Sequence, residues 1–178
     1  MSYRSKIFLL ASVLHLVLCA VGGRDVTIAQ SDSFANHHKE LHFTLPPGQS
    51  PTFQLPSKNQ PVQVSVSTSN VLVSFNGSTI PIGPLVLGVV ASFDSAAGIA
   101  NINFNGTCTG QDTCLVESAY DFSDPNNSRN SGIALLTLII DKHTGNISLG
   151  VRAVIRDIIG TPVPITNGEI NYAVTMNY

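Results

Sequence analysis

His37-His38-Lys39-Glu40-Leu41-His42 gathers the densest group of potential metal ligands in this 178-residue chain. If residues 38–42 form a strand, side chains alternate between its faces, and His38, Glu40 and His42 share one of them. Two imidazoles and a carboxylate make a donor set that zinc or copper accepts. A solvated strand edge accounts for the same residues. A second group follows Tyr120, in Asp121-Phe-Ser-Asp124-Pro-Asn126-Asn-Ser128-Arg129. Asp124, Asn126 and Ser128 hold the first, third and fifth places of a calcium loop, but Arg129 stands where that loop needs Gly and Leu135 where it needs Glu. The EF-hand reading fails on those two positions. A looser Ca²⁺ site built from Asp121, Asp124, Asn126 and Ser128 is the expectation that survives, and Ca²⁺ is the cofactor it would carry. A long polar loop over 121–131 explains the same composition, since Asp, Asn, Pro, Ser and Gly each have a backbone reason to occupy turns.

Catalytic constellations are sparse. The chain has no G-x-S-x-G, H-E-x-x-H or glycine-rich phosphate loop. Asp141, His143 and Ser148 are near one another in sequence, yet Asp141-Lys-His143-Thr-Gly-Asn146 reads as a tight exposed turn, a poor place to exclude water. Glu117 and Asp121 supply the two carboxylates of a glycosidase only if the fold faces them across a cleft. Four N-x-[ST] sites begin at Asn76, Asn105, Asn126 and Asn146, and they accept glycans if the host is eukaryotic.

The amino end reads as an address. Arg4 and Lys6 precede an apolar run from Ile7 to Val21, and Ala20-Val21-Gly22 offers the small residues of a signal-peptidase site. About 15 apolar residues fall short of the ~20 that span a bilayer. Cys19 ends that run, but Leu18 departs from the small residue that precedes a lipidated cysteine. Cleavage near Gly22 removes Arg4 and Lys6, leaving seven basic residues against eleven acidic ones and a formal charge of −4. Nucleic acid and anionic membranes are poor partners for that balance. Cleavage also removes Cys19, so Cys108 and Cys114 remain as an even pair. In an exported chain they imply a disulfide closing a short loop that contains Gly110.

The elements that must position these residues read as strands. Ile133 to Ile140 is an unbroken apolar run, suited to a strand buried on both faces. Beyond the Asp141–Asn146 turn, Ile147, Leu149, Val151, Ala153 and Ile155 alternate with Ser148, Gly150, Arg152, Val154 and Arg156, so the whole predicts a β-hairpin. Val62, Val64 and Val66 alternate likewise, as do Ile170, Tyr172, Val174, Met176 and Tyr178 at the carboxyl end. Regular short strands without a helical pattern predict an all-β fold, an antiparallel β-sandwich of jelly-roll or Ig-like type, with a closed β-barrel as the alternative. The expected organisation is a signal peptide over 1–22, a partly disordered lead-in over 23–40 and one domain over 41–178. With no Trp, and Tyr172 and Tyr178 on the core-facing set, aromatic platforms for sugars are scarce. The functional expectation is a secreted binding or structural module that meets a protein or carbohydrate surface. Homo-oligomerisation is expected through small or apolar outward positions such as Val154 and Ala173. A small extracellular hydrolase is the alternative, and it requires Glu117, Asp121, Asp94 or His143 to converge.

Overall fold

The computed structural model describes residues 29–33, 38–57, 60–103, 112–124, 127–156, 160–166 and 168–178. The signal segment and Cys108 lie outside them. The described residues are all-β with no helix, and none of them therefore forms a helix able to cross a membrane. In chain order the strands are β1 (Ala29–Ser33), β2 (His38–Leu45), β3 (Thr52–Gln54), β4 (Val62–Ser69) and β5 (Val71–Phe75). β6 (Ser78–Ile82), β7 (Leu85–Asp94), β8 (Ile99–Asn103) and β9 (Thr113–Asp124) follow. The last four are β10 (Asn127–Asp141), β11 (Asn146–Ile155), β12 (Pro162–Val163) and β13 (Ile170–Asn177).

All the strand pairings are antiparallel. One sheet runs β1-β2-β13-β4-β7-β8; the other runs β12-β11-β10-β9, with β3 also pairing β11. β5 and β6 form a separate hairpin. Its Asn76-Gly77 turn joins the paired residues Phe75 and Ser78 with both central residues at positive φ, the geometry that suits the twist of a two-residue hairpin. The predicted central hairpin forms with Ile140 opposite Ile147 and Gly132 opposite Ile155.

Alternation decides which side chains meet. Leu41, Phe43 and Leu45 of β2, Val62, Val64 and Val66 of β4, and Ile170, Tyr172, Val174 and Met176 of β13 are buried from the first sheet. Ala134, Leu136, Leu138 and Ile140 of β10 and Ile147 and Leu149 of β11 are buried from the second, in the same core. The Phe43 and Phe53 rings stack across the two sheets at 6.4 Å. At one end the Val86 N–H donates to the Tyr120 hydroxyl at 2.7 Å and that hydroxyl donates to the Val86 carbonyl, stitching β9 to β7. The arrangement is consistent with a β-sandwich.

Three expectations need correcting. The closed barrel is excluded for the described residues: each sheet path ends on different strands, β1 and β8 in one and β12 and β9 in the other, and no pairing closes either. The apolar run 133–140 is buried on one face only, and Ile139 remains 41% exposed, because the opposing sheet covers a single side. The polar stretch 121–131 is not a long loop; β9 runs through Asp124 and β10 resumes at Asn127, where backbone pairing overrides turn-prone composition. Residues 29–33 pair along β2, from Ala29 opposite His42 to Ser33 opposite His38.

Candidate functional site

β2 places His38, Glu40 and His42 on the outer face of the six-stranded sheet, because Leu41 and Phe43 take the inner one. His38 Nε2 lies 2.9 Å from Glu40 Oε1, and His42 Nε2 lies 4.0 Å from Glu40 Oε2. The other His38 nitrogen, Nδ1, lies 2.7 Å from Asn177 Oδ1. Only the imidazolium can donate to both acceptors, so the Asn177 contact and then the Glu40 contact raise the His38 pKa above its ordinary value. The cluster is an ion-paired strand face: no three His, Cys, Asp or Glu side chains among the described residues are disposed to hold a metal ion.

The calcium candidates fare differently. Asp121 and Asp124 fall on opposite faces of β9, Asp121 exposed and Asp124 buried at 4%. Asn126 and the Ser128 side chain lie outside what is described. The Asp121 carboxylate pairs with Arg156 in a shallow cavity of about 170 Å³, so a cation there would have to displace a guanidinium.

The catalytic candidates do not converge. Asp141 Oδ1 accepts the backbone N–H groups of Thr144 at 3.0 Å and His143 at 2.8 Å, which close the hairpin turn and hold its carboxyl below the usual carboxylate pKa. His143 pairs with Asp112 at 2.8 Å, both exposed, and Ser148 faces Thr52 on β3. Glu117 accepts from Arg152 at 3.0 Å and from Thr137 at 3.2 Å. Glu117 and Asp121 stand four residues apart on one flat strand face, roughly 13 Å by strand rise. That exceeds the ~5–9.5 Å of glycosidase carboxylates. Asp94 belongs to the other sheet and caps its own turn through Ala96 N–H.

A polar trough that the sequence reading did not single out lies beside the His38–Glu40–His42 row. Register sets Thr44, Asn171 and Ser69 side by side, and next to them His42, Ala173 and Ser67. Together they line a shallow cavity of about 230 Å³. Thr44 Oγ1 donates to Asn171 Oδ1 at 3.0 Å, which fixes the amide and assigns its other terminal atom as the donor nitrogen. Its floor is open because Ala173 projects only a methyl group between them. The signal was present in the polar half of each alternation, in Ser67 and Ser69 and in Asn171, but nothing in one strand says which strands are neighbours.

The sequon residues Asn76 and Asn146 are exposed, at the β5–β6 turn and at the start of β11; Asn105 and Asn126 lie outside the described residues. Cys114 is buried at the head of β9. The Tyr120 hydroxyl is engaged by the Val86 backbone. Compared with known protein families, with curated proteins and with solved structures, the chain matches none.

Proposed function

We propose that the protein is a secreted, non-catalytic module that binds a hydroxyl-rich ligand, a carbohydrate, through the trough on the outer face of its six-stranded sheet. The observation that carries this reading is the convergence of His42, Thr44, Ser67, Ser69 and Asn171 on one shallow cavity. Its volume of about 230 Å³ is below the ~300–1,000 Å³ of drug-sized pockets and suits one sugar ring. Recognition is by hydrogen bonds to hydroxyls rather than by aromatic stacking. The hydrolase alternative loses ground because its acids and imidazoles are each committed to a separate partner.

The export reading rests on the amino-terminal sequence. A Cys108–Cys114 clip fits it, and Cys114 is buried at the head of β9. Within the sandwich class, the jelly-roll variant is favoured over the Ig-like one because the final strand lies between β2 and β4, with β7 next, as a double Greek key requires.

A glycan array followed by calorimetric titration tests the proposal. His42→Ala and Asn171→Ala should each weaken binding roughly 2–10-fold, the worth of one hydrogen bond. Ser148→Ala, on the other sheet, should leave it unchanged. Binding that ignores both trough substitutions, or no binding to any glycan, would overturn the assignment.

A further inference from the structure

Apolar exposure is concentrated on the same outer face as the trough. Among the described residues the exposed large hydrophobic side chains are Val86, Val90, Ile99 and Ile139, and three of those four stand on β7 and β8 of the six-stranded sheet. Val86 is 50% exposed and Val90 38%. Alternation puts both on the outer face with Gly88 between them. A Cβ built on Gly88 would meet only the Val64 carbonyl oxygen, at 4.0 Å. The row Val86–Gly88–Val90 is therefore apolar and unobstructed. Single aliphatic side chains on a surface need no explanation, but an uninterrupted row of them does.

Register ties this row to the trough. Val86 pairs with Ser67, which lines the trough, and side chains paired across strands have Cβ atoms about 4.5–5.5 Å apart. Gly88 pairs with Ser65 and Val90 with Gln63, so the row runs away from the trough along β4. From Val86 to Val90 the strand rises roughly 14 Å. At the far end Val90, Ser92, Asn101 and Pro61 help to line a second shallow cavity, of about 210 Å³. The near end is anchored. The Tyr120 hydroxyl, from the opposite sheet, bonds both the N–H and the carbonyl oxygen of Val86. A β-branched side chain on an anchored backbone has few rotamers, so covering it with a ligand costs little ordering entropy.

We infer that the ligand is an amphipathic glycoside, whose sugar seats in the trough and whose alkyl or acyl aglycone lies along Val86, Gly88 and Val90 toward the second cavity. Hydrogen bonds fix the head, and apolar contact holds the tail. The tail's place depends on the trough reading, because the sugar must seat there first. Full burial of one methylene is worth about fourfold in affinity. A chain lying on an open face buries about half of itself, so each methylene should lower Kd about twofold.

Calorimetric titration with methyl, butyl, hexyl and octyl β-glucosides and β-galactosides, kept below their micelle concentrations, tests this. Kd should fall about 100-fold from methyl to octyl. Val86→Ser combined with Val90→Ser should cut that gain to below about tenfold, as should Gly88→Glu, which sets a charged side chain across the row. Ile139→Ser, on the other sheet, should leave the gain in place; a native urea midpoint shows that each variant has folded. Amide chemical shifts locate the tail independently. The methyl glycoside should move Ser67 and Asn171, and the octyl glycoside Val86, Gly88 and Val90 as well. If methyl and octyl glycosides bind equally, the tail site is wrong and the trough stands. If an octyl sulfobetaine, which has no sugar, binds as tightly as the octyl glycosides, the row takes apolar chains alone and the joint ligand is wrong. Binding by no member of the series would also overturn the inference, and the glycan array then judges the trough separately.

Discussion

Thr68 is the residue whose replacement should strengthen the protein. It closes the inward-facing set of β4 after Val62, Val64 and Val66, is 2% exposed, and its Oγ1 has no hydrogen-bond partner among the described residues. A buried hydroxyl without a partner destabilises by about 1–3 kcal/mol, because water bonded it in the unfolded chain and nothing does so in the fold. Thr68→Val keeps the shape and exchanges that hydroxyl for a methyl, whose burial contributes about 0.8 kcal/mol. The expected gain is roughly 2 kcal/mol, or about 4–8 °C in Tm for a domain of this size. The converse change two residues earlier, Val66→Thr, puts a hydroxyl into the same row at a site 1% exposed and should lower stability by a similar amount. Urea titrations of both variants at constant m-value measure the two shifts directly. If Thr68→Val and Val66→Thr both destabilise, the Thr68 hydroxyl has a partner in the folded protein and the reasoning is wrong.

Gly145 ends the β10–β11 turn at φ +70°, and a Cβ there would approach the Phe93 ring to 2.7 Å. Left-handed backbone adds about 1–2 kcal/mol for an L-residue and overpacking about 1–3 kcal/mol. Gly145→Ala should therefore lower the melting temperature by roughly 4–20 °C, while Gly150→Ala, with open space around it, changes it little. Burial pushes the Tyr172 phenol up to about 12 from its ordinary value of 10.0. A raised folded pKa means that stability is full below pH 10 and falls as pH climbs from 10 to 12, by about 2–3 kcal/mol, while the unfolded chain releases its proton first. Tyr172→Phe should flatten that alkaline limb in a denaturation series, and an unchanged slope would show that Tyr172 does not titrate there.

Much of the fold was legible because alternation is a local property. The inward residues of β4, β11 and β13 are the ones the alternating pattern picked out, since a pleated strand forces neighbouring side chains to opposite faces. The Asp141–Asn146 turn was legible for the same reason, its Asp and Gly each meeting a backbone need. The stretch 121–131 was not, because Asp, Asn and Ser also tolerate strand geometry when a neighbouring strand pairs with them, as β9 and β10 pair here. Burial on both faces of 133–140 failed as a reading because apolar character reports a preference for burial, not the presence of a covering layer.

The candidate site divides along the same line. By itself the sequence determined that His38, Glu40 and His42 share a face once their segment is a strand, that Asp121 and Asp124 are odd and even, and that the chain lacks the compact catalytic motifs. Only the tertiary structure decided which partners those groups meet: Asn177 for His38, Arg156 for Asp121, Asp112 for His143. It also decided that β13 inserts between β2 and β4, setting Asn171 between Thr44 and Ser69 although 127 residues separate Thr44 from Asn171. The physical reason is range. Side-chain alternation is enforced by sterics between adjacent residues, whereas neighbours across a sheet are chosen by burial of the whole core, a sum over all strands that no single stretch of sequence carries.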